Sequence, residues 1–205
     1  MKKNGVIFTI GQGRKDIDHF LNILCDFKIN LLIDVRSNPY SKVSTFSRGE
    51  LDNILKKRKI KYLYLGNELG GENIKDVFRK NKGSLFDILN KNSFREGLKI
   101  LWKLRKSCKI CLFCAEEEPL ECHRFLCVGS ILKLKGNIEI INILSDRNEI
   151  FDFSTKRLIN ELKLDRIFDK IGSKEIEKAF WYKLHYIYLN RYNTKKNDII
   201  HYRLF

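Results

Sequence analysis

Ile110-Cys111-Leu112-Phe113-Cys114, followed by Ala115-Glu116-Glu117-Glu118-Pro119-Leu120-Glu121 and then Cys122-His123-Arg124, is the stretch that decides the fold. The first five residues form an apolar run of the length of a buried strand, and the next seven form a polar loop interrupted by proline. Beyond Cys122, the residues Phe125, Leu126, Val128, Gly129, Ile131 and Leu132 recur at helical spacing, and Gly136 is suited to end that helix. Strand, loop and helix in this order make one unit of a parallel sheet. Ligands of such sheets gather beyond the carboxyl ends of the strands, where the next helix offers unpaired N–H groups and a partial positive charge. This places Cys122, His123 and Arg124 at a candidate site, with Glu116 opposite.

Working outward, Val6 to Gly11 reads as a first strand and Gly11-Gln12-Gly13-Arg14 as a tight turn, too short for a dinucleotide-binding fingerprint. Asp16 suits an N-cap, and Ile17, Phe20, Leu21, Leu24 and Phe27 follow one helix face. Leu31 to Arg36 is a second strand, with Asp34 and Arg36 two apart on one face at its carboxyl end. They form either a structural ion pair or part of a site. The long loop Ser37 to Ser47 favours a binding role and carries Tyr40 and Phe46, candidates for base stacking.

Glu50 to Lys59 reads as a helix, Lys61 to Gly66 as a strand, and Glu68-Leu69-Gly70-Gly71 as a flexible turn. Ser93 is placed to cap a helix carrying Phe94, Leu98, Leu101, Trp102 and Leu104, and Ile138 to Leu144 alternates as a last strand. The fold class expected is therefore α/β: a three-layer, Rossmann-like parallel sheet with helices on both faces over residues 1–150. Residues 151–205 change character and read as a helical extension docked on that domain, with an aromatic and basic helix from Ser173 to Tyr192.

The chain has 205 residues, 43% of them hydrophobic, enough for a real core. A formal net charge of +15 favours anionic partners such as nucleotides or nucleic acid, although enrichment in Lys, Asn and Ile throughout also contributes. No run of about 18 apolar residues is present for a membrane span, and the first residues lead straight into a strand without a signal-like stretch. The expectation is a cytoplasmic protein, monomer or homodimer, with reduced thiols. Cys108, Cys111 and Cys114 have the spacing of a cluster ligand set, but on a strand Cys111 points away from the other two, so neither metal nor cofactor is expected.

The motifs taken in order are Thr9-Ile10-Gly11, Asp34-Val35-Arg36-Ser37 with Pro39 and Ser41, Phe46, Tyr62, Leu69-Gly70-Gly71, Cys114-Ala115-Glu116 and Cys122-His123-Arg124. This set resembles the family of domains of unknown function called DUF488, over about residues 6 to 145. The resemblance implies a compact α/β domain and no settled reaction. Gln12 stands where the family often has His after the first Gly.

Asp34, Glu116 and His123 are the candidate catalytic residues, as general bases and a proton carrier. Gly11, Gln12, Arg14, Arg36, Ser37, Cys122 and Arg124 are the candidate ligands of phosphate, Arg36 and Arg124 offering fork-shaped donors. These parts suit an enzyme binding a nucleotide or nucleic acid at the carboxyl edge of the sheet. Two other readings stay open: a non-catalytic nucleic-acid-binding module, and thiol chemistry at Cys114 loosely similar to that of the rhodanese-type sulfurtransferases.

Overall fold

A computed structural model describes residues 5–72, 74, 85–119, 122–132, 138–144 and 150–152. The elements are β1 (Val6–Gly11), α1 (Ile17–Asp26), β2 (Leu31–Asp34), α2 (Arg48–Lys57), β3 (Lys61–Tyr64), α3 (Gly66–Leu69), α4 (Leu85–Asn90), α5 (Asn92–Leu104), β4 (Ile110–Cys114), α6 (Arg124–Gly129), β5 (Glu139–Ile143) and β6 (Ile150–Asp152). The strands join in the order β3-β2-β4-β1-β5-β6; the first five are parallel and β6 pairs antiparallel with β5.

The period-2 alternation of the strands builds two cores, one on each face of the sheet. Phe8, Ile10, Leu32, Cys111 and Phe113 pack against Phe20, Leu21 and Leu24 of α1 and Leu51 and Leu55 of α2. On the other face Ile7, Ile33, Ile110, Leu112 and Cys114 pack against Leu69, Phe94, Leu101, Phe125 and Val128. The expected α/β class, with helices on both faces, is the class observed. Cys111 does point away from Cys108 and Cys114, which lie with the opposite core.

Asp16 caps α1, its carboxylate accepting from the His19 N–H at 2.8 Å. Two local expectations change. α5 begins at Asn92 with Lys91 as its N-cap, so Ser93 lies inside the first turn. The segment before Gly70 is a turn of helix, α3, wedged against α5 by Leu69, whose burial outweighs the loop-forming character of its neighbours. Gly136 and the extension 151–205, apart from Phe151 and Asp152 in β6, lie outside the described residues. Among the described residues no helix is long and apolar enough to cross a membrane.

Candidate active site

Because β4 lies between β2 and β1, the carboxyl ends of these three strands form one edge, with Gly11 beside Cys114 and Asp34 beside Phe113. The loop leaving β4 folds over the end of β1: Gln12 N–H donates to the Cys114 carbonyl at 2.8 Å and Gly13 N–H to the Ala115 carbonyl at 3.0 Å. A Cβ on Gly11 would sit 2.0 Å from the Glu116 carbonyl oxygen, so only glycine permits this approach. From the other side, fully buried Arg124 donates to the carbonyls of Glu116 and Glu117 and, at 3.3 Å, to Thr9 Oγ1. Both the turn after β1 and Arg124 thus serve to hold the Glu116 loop.

Held in this way, Cys114, Glu116, Cys122 and His123 converge, their ligating atoms all within 4.8 Å of one another. Cys114 Sγ and Cys122 Sγ lie 2.7 and 3.3 Å from Glu116 Oε2, and each lies 3.9 Å from His123 Nδ1. His123 Nε2 is 2.9 Å from the Val35 carbonyl, which can only accept. Nε2 therefore carries the proton, and in the neutral ring Nδ1 presents its lone pair to the two sulfurs. The whole of α6, Arg124–Gly129, is wound as a π-helix, a form frequent at functional sites, and its Arg124 N–H donates to Cys122 Sγ at 3.5 Å. Three of the four residues are buried; Glu116 is exposed and opens the cluster to solvent.

The cluster is electrically asymmetric. The hydrogen bond with Cys122, with burial behind it, pushes the Cys114 thiol well up. Burial also opposes ionisation of Cys122, but the Cys114 hydrogen bond, Arg124 and His123 outweigh it and hold this thiol well below the ordinary range. For His123, burial works against the imidazolium, and the Cys122 and Glu116 charges and the Val35 carbonyl overcome it, so its pKa rises. The two thiols are thus driven in opposite directions, Cys114 up and Cys122 down.

Asp34 and Arg36 lie on the other face of the sheet. Asp34, fully buried, accepts from Arg36 Nε at 2.9 Å, from Arg36 Nη2 at 2.6 Å and from Tyr62 Oη at 2.7 Å. Arg36 Nη2 also donates to the Phe46 carbonyl at 2.9 Å, and its guanidinium stacks 4.6 Å from the centre of the Phe113 ring. Alternation along β2 explains the separation: Asp34 shares the face of Leu32, whereas His123 meets the strand from the side of Ile33 and Val35. The structure therefore brings Glu116 and His123 together and sets Asp34 apart. It likewise divides Arg36 and Arg124 between opposite faces, so they do not converge on one anion as expected.

Phe46 is fully buried against Phe20 and Phe113, with ring centres 5.2 and 6.2 Å apart, and offers no stacking face to a ligand; its place in a polar loop hid its part in the core. Tyr40 is 77% exposed at the tip of the same loop, and Arg14 is exposed at the turn after β1. Gln12 Nε2 donates to Ser41 Oγ at 3.3 Å, and Ser37 Oγ accepts from Glu72 N–H at 2.9 Å. One contributor, Lys15, has no signal in the sequence, and another, Tyr62, stands among the motifs without a role. Lys15, almost fully buried, bonds the Gly11 carbonyl at 3.0 Å and pairs with Glu117; Tyr62, on the alternating strand β3, caps the Asp34 pair. A lysine just past a glycine turn carries no signal of burial.

A three-layer α/β domain with thiol, imidazole and carboxylate groups gathered at the carboxyl edge of its parallel sheet is the class of protein defined by this geometry. The family model of the domain of unknown function DUF488 matches residues 16–129, more than half of the chain, and the chain belongs to that family. No curated protein matches it significantly.

Proposed function

We propose that this DUF488 chain is an enzyme whose working groups are Cys114, Glu116, Cys122 and His123, and that its substrate is a phosphate-containing anion such as a nucleotide or nucleic acid. The observation that carries the reading is the convergence of four ionisable groups within 4.8 Å at the edge where ligands of parallel sheets bind. Glu116 is the member that faces solvent, so it is the group to exchange protons with a substrate; His123 and the thiols stand behind it. The substrate class follows from charge: +15 over the chain, with Arg14 and Tyr40 exposed on loops that leave β1 and β2. Asp34, Arg36 and Arg124 act in this scheme by positioning the loops.

The test is a turnover screen of the full chain on nucleotides, nucleic acids and simple phosphate esters, with Glu116→Gln as the comparison. Loss of about 10²–10⁴-fold in the variant at unchanged thermal unfolding is the expected result. Full turnover in the variant, or none by the wild type, would remove the reading.

A second reading, sulfur transfer, is supported by the low pKa of Cys122 beside Arg124 and His123. It shifts the reactive thiol from Cys114 to Cys122. Sulfur transfer from thiosulfate to a small thiol, lost in Cys122→Ser, is its assay.

A further inference from the structure

The cluster has a property that acid–base chemistry alone does not require. His123 is fixed by its Nε2–H bond to the Val35 carbonyl, 2.9 Å, so that its Nδ1 points at two cysteine sulfurs, each 3.9 Å away. A backbone carbonyl behind the imidazole is the usual outer partner of a metal-bound histidine. In a tetrahedral zinc site with bonds of about 2.3 Å to sulfur and 2.0–2.1 Å to nitrogen, the sulfur-to-nitrogen edge is about 3.5 Å. The observed edges are a few tenths of an ångström longer.

Space agrees with this. A Cβ built on Gly71 would lie 3.0 Å from Nδ1 and 3.4 Å from both Cε1 and Cγ. Those distances place Gly71 over the ring face; along the lone-pair axis the two carbons would be farther. The lone pair is therefore not covered by Gly71. Arg124, fully buried, bonds two carbonyls and a threonine hydroxyl and lies beside Cys122, Cys114 and Glu116.

We propose that Cys114 Sγ, Cys122 Sγ and His123 Nδ1 bind a zinc-class divalent ion, with the fourth position facing Glu116 and solvent. Two thiolates and an imidazole suit zinc, and three protein ligands with one open position mark a catalytic site. Glu116 at 2.7 and 3.3 Å from the sulfurs is placed to take a proton from a water in that position. This deepens the enzymatic reading above and rests on it for the role of Glu116; ion binding itself stands apart from turnover.

The experiment is a cobalt(II) titration of the full chain after chelator treatment, with alkylation of the six cysteines followed in parallel by mass spectrometry. One equivalent of cobalt should give tetrahedral visible bands and a thiolate-to-cobalt charge-transfer band, and should protect Cys114 and Cys122 from alkylation while leaving Cys25 reactive. Glu116→Gln should keep these signals. Cys122→Ser and His123→Gln should weaken binding by more than about 100-fold, beyond the 10–100-fold typical of outer partners. Absence of the charge-transfer band in wild type, or cobalt affinity in Cys114→Ser and Cys122→Ser equal to that of wild type, would overturn the site. Because Cys114 and Cys122 are buried without any ion, the wild-type charge-transfer band decides the matter even where a variant fails to fold. Cobalt bound with no turnover in any screen would retain the ion and remove the reaction; turnover by the chelated chain would retain the reaction and remove the ion's part in it.

Discussion

His123 Nε2 donates to the Val35 carbonyl across 2.9 Å, joining the start of α6 to the residue that follows β2. Through this bond the strand that carries Asp34 on one face determines the direction of the imidazole on the other. The two polar centres at this edge are thereby mechanically linked although their side chains lie on opposite faces.

The Asp34 pair should be a stability element. Breaking a buried ion pair by removing one partner costs about 3–5 kcal/mol, because the other charge is left uncompensated. Asp34→Ala should lower the denaturant midpoint by a corresponding amount. A variant that unfolds with the wild type but loses turnover would instead return Asp34 to the reacting groups.

Tyr62 gives a pH dependence with a definite sign. Burial, and then the Asp34 carboxylate, push its pKa up. A group raised on folding contributes stability below its unfolded pKa, about 10 for tyrosine, and that contribution is lost as pH climbs above it. Tyr62→Phe should cost about 1.5–3 kcal/mol at neutral pH, the range for a hydrogen bond to a charged group. The gap between the two proteins should narrow above about pH 10. A gap that stays constant to high pH would contradict the bond to Asp34.

Gly11 and Gly49 make a matched pair of probes. A Cβ at Gly11 meets the Glu116 carbonyl at 2.0 Å, whereas at Gly49, in the first turn of α2, nothing lies within 4 Å. Gly11→Ala should displace the Glu116 loop and reduce both stability and activity. Gly49→Ala should be neutral or stabilising by up to about 1 kcal/mol. Thermal unfolding of the two variants settles the comparison, and a harmless Gly11→Ala would mean the loop does not close over β1 as described.

Phe46 and Tyr40 separate core from ligand surface. Phe46→Ala should cost about 3–5 kcal/mol, the range for emptying a buried aromatic site. Tyr40→Ala should leave unfolding unchanged and weaken nucleic-acid binding by about 1–3 kcal/mol if a base stacks there. Binding titrations beside denaturant melts distinguish these outcomes.

Much of this arrangement was readable from residue pattern. The apolar run Ile110 to Cys114, the cap at Asp16 and the alternation that sends Cys111 away from Cys114 all follow from local periodicity. The four residues of the cluster were singled out for their position at a strand end and a helix start. Their joint use was not readable, because it depends on where lone pairs point. A tautomer fixed by the carbonyl of a residue 88 positions away has no trace in spacing. Arg124 looked like a phosphate donor because nothing in a sequence reveals that its fork is spent on the carbonyls of its own loop. Phe46 is buried where a stacking face is expected, because aromatic residues in long polar loops suit both cores and ligands.

The most direct test of the central claim, that Cys114, Cys122 and His123 form one zinc-class centre with Glu116 at its open position, is zinc-edge X-ray absorption of the purified full chain loaded with one equivalent of zinc. The account predicts a four-coordinate ion with two sulfurs at about 2.3 Å and two lighter nitrogen or oxygen atoms at about 2.0–2.1 Å, the sulfur contribution falling by half in Cys122→Ser. A shell of nitrogen and oxygen alone, or two sulfurs that persist in Cys122→Ser, would contradict it.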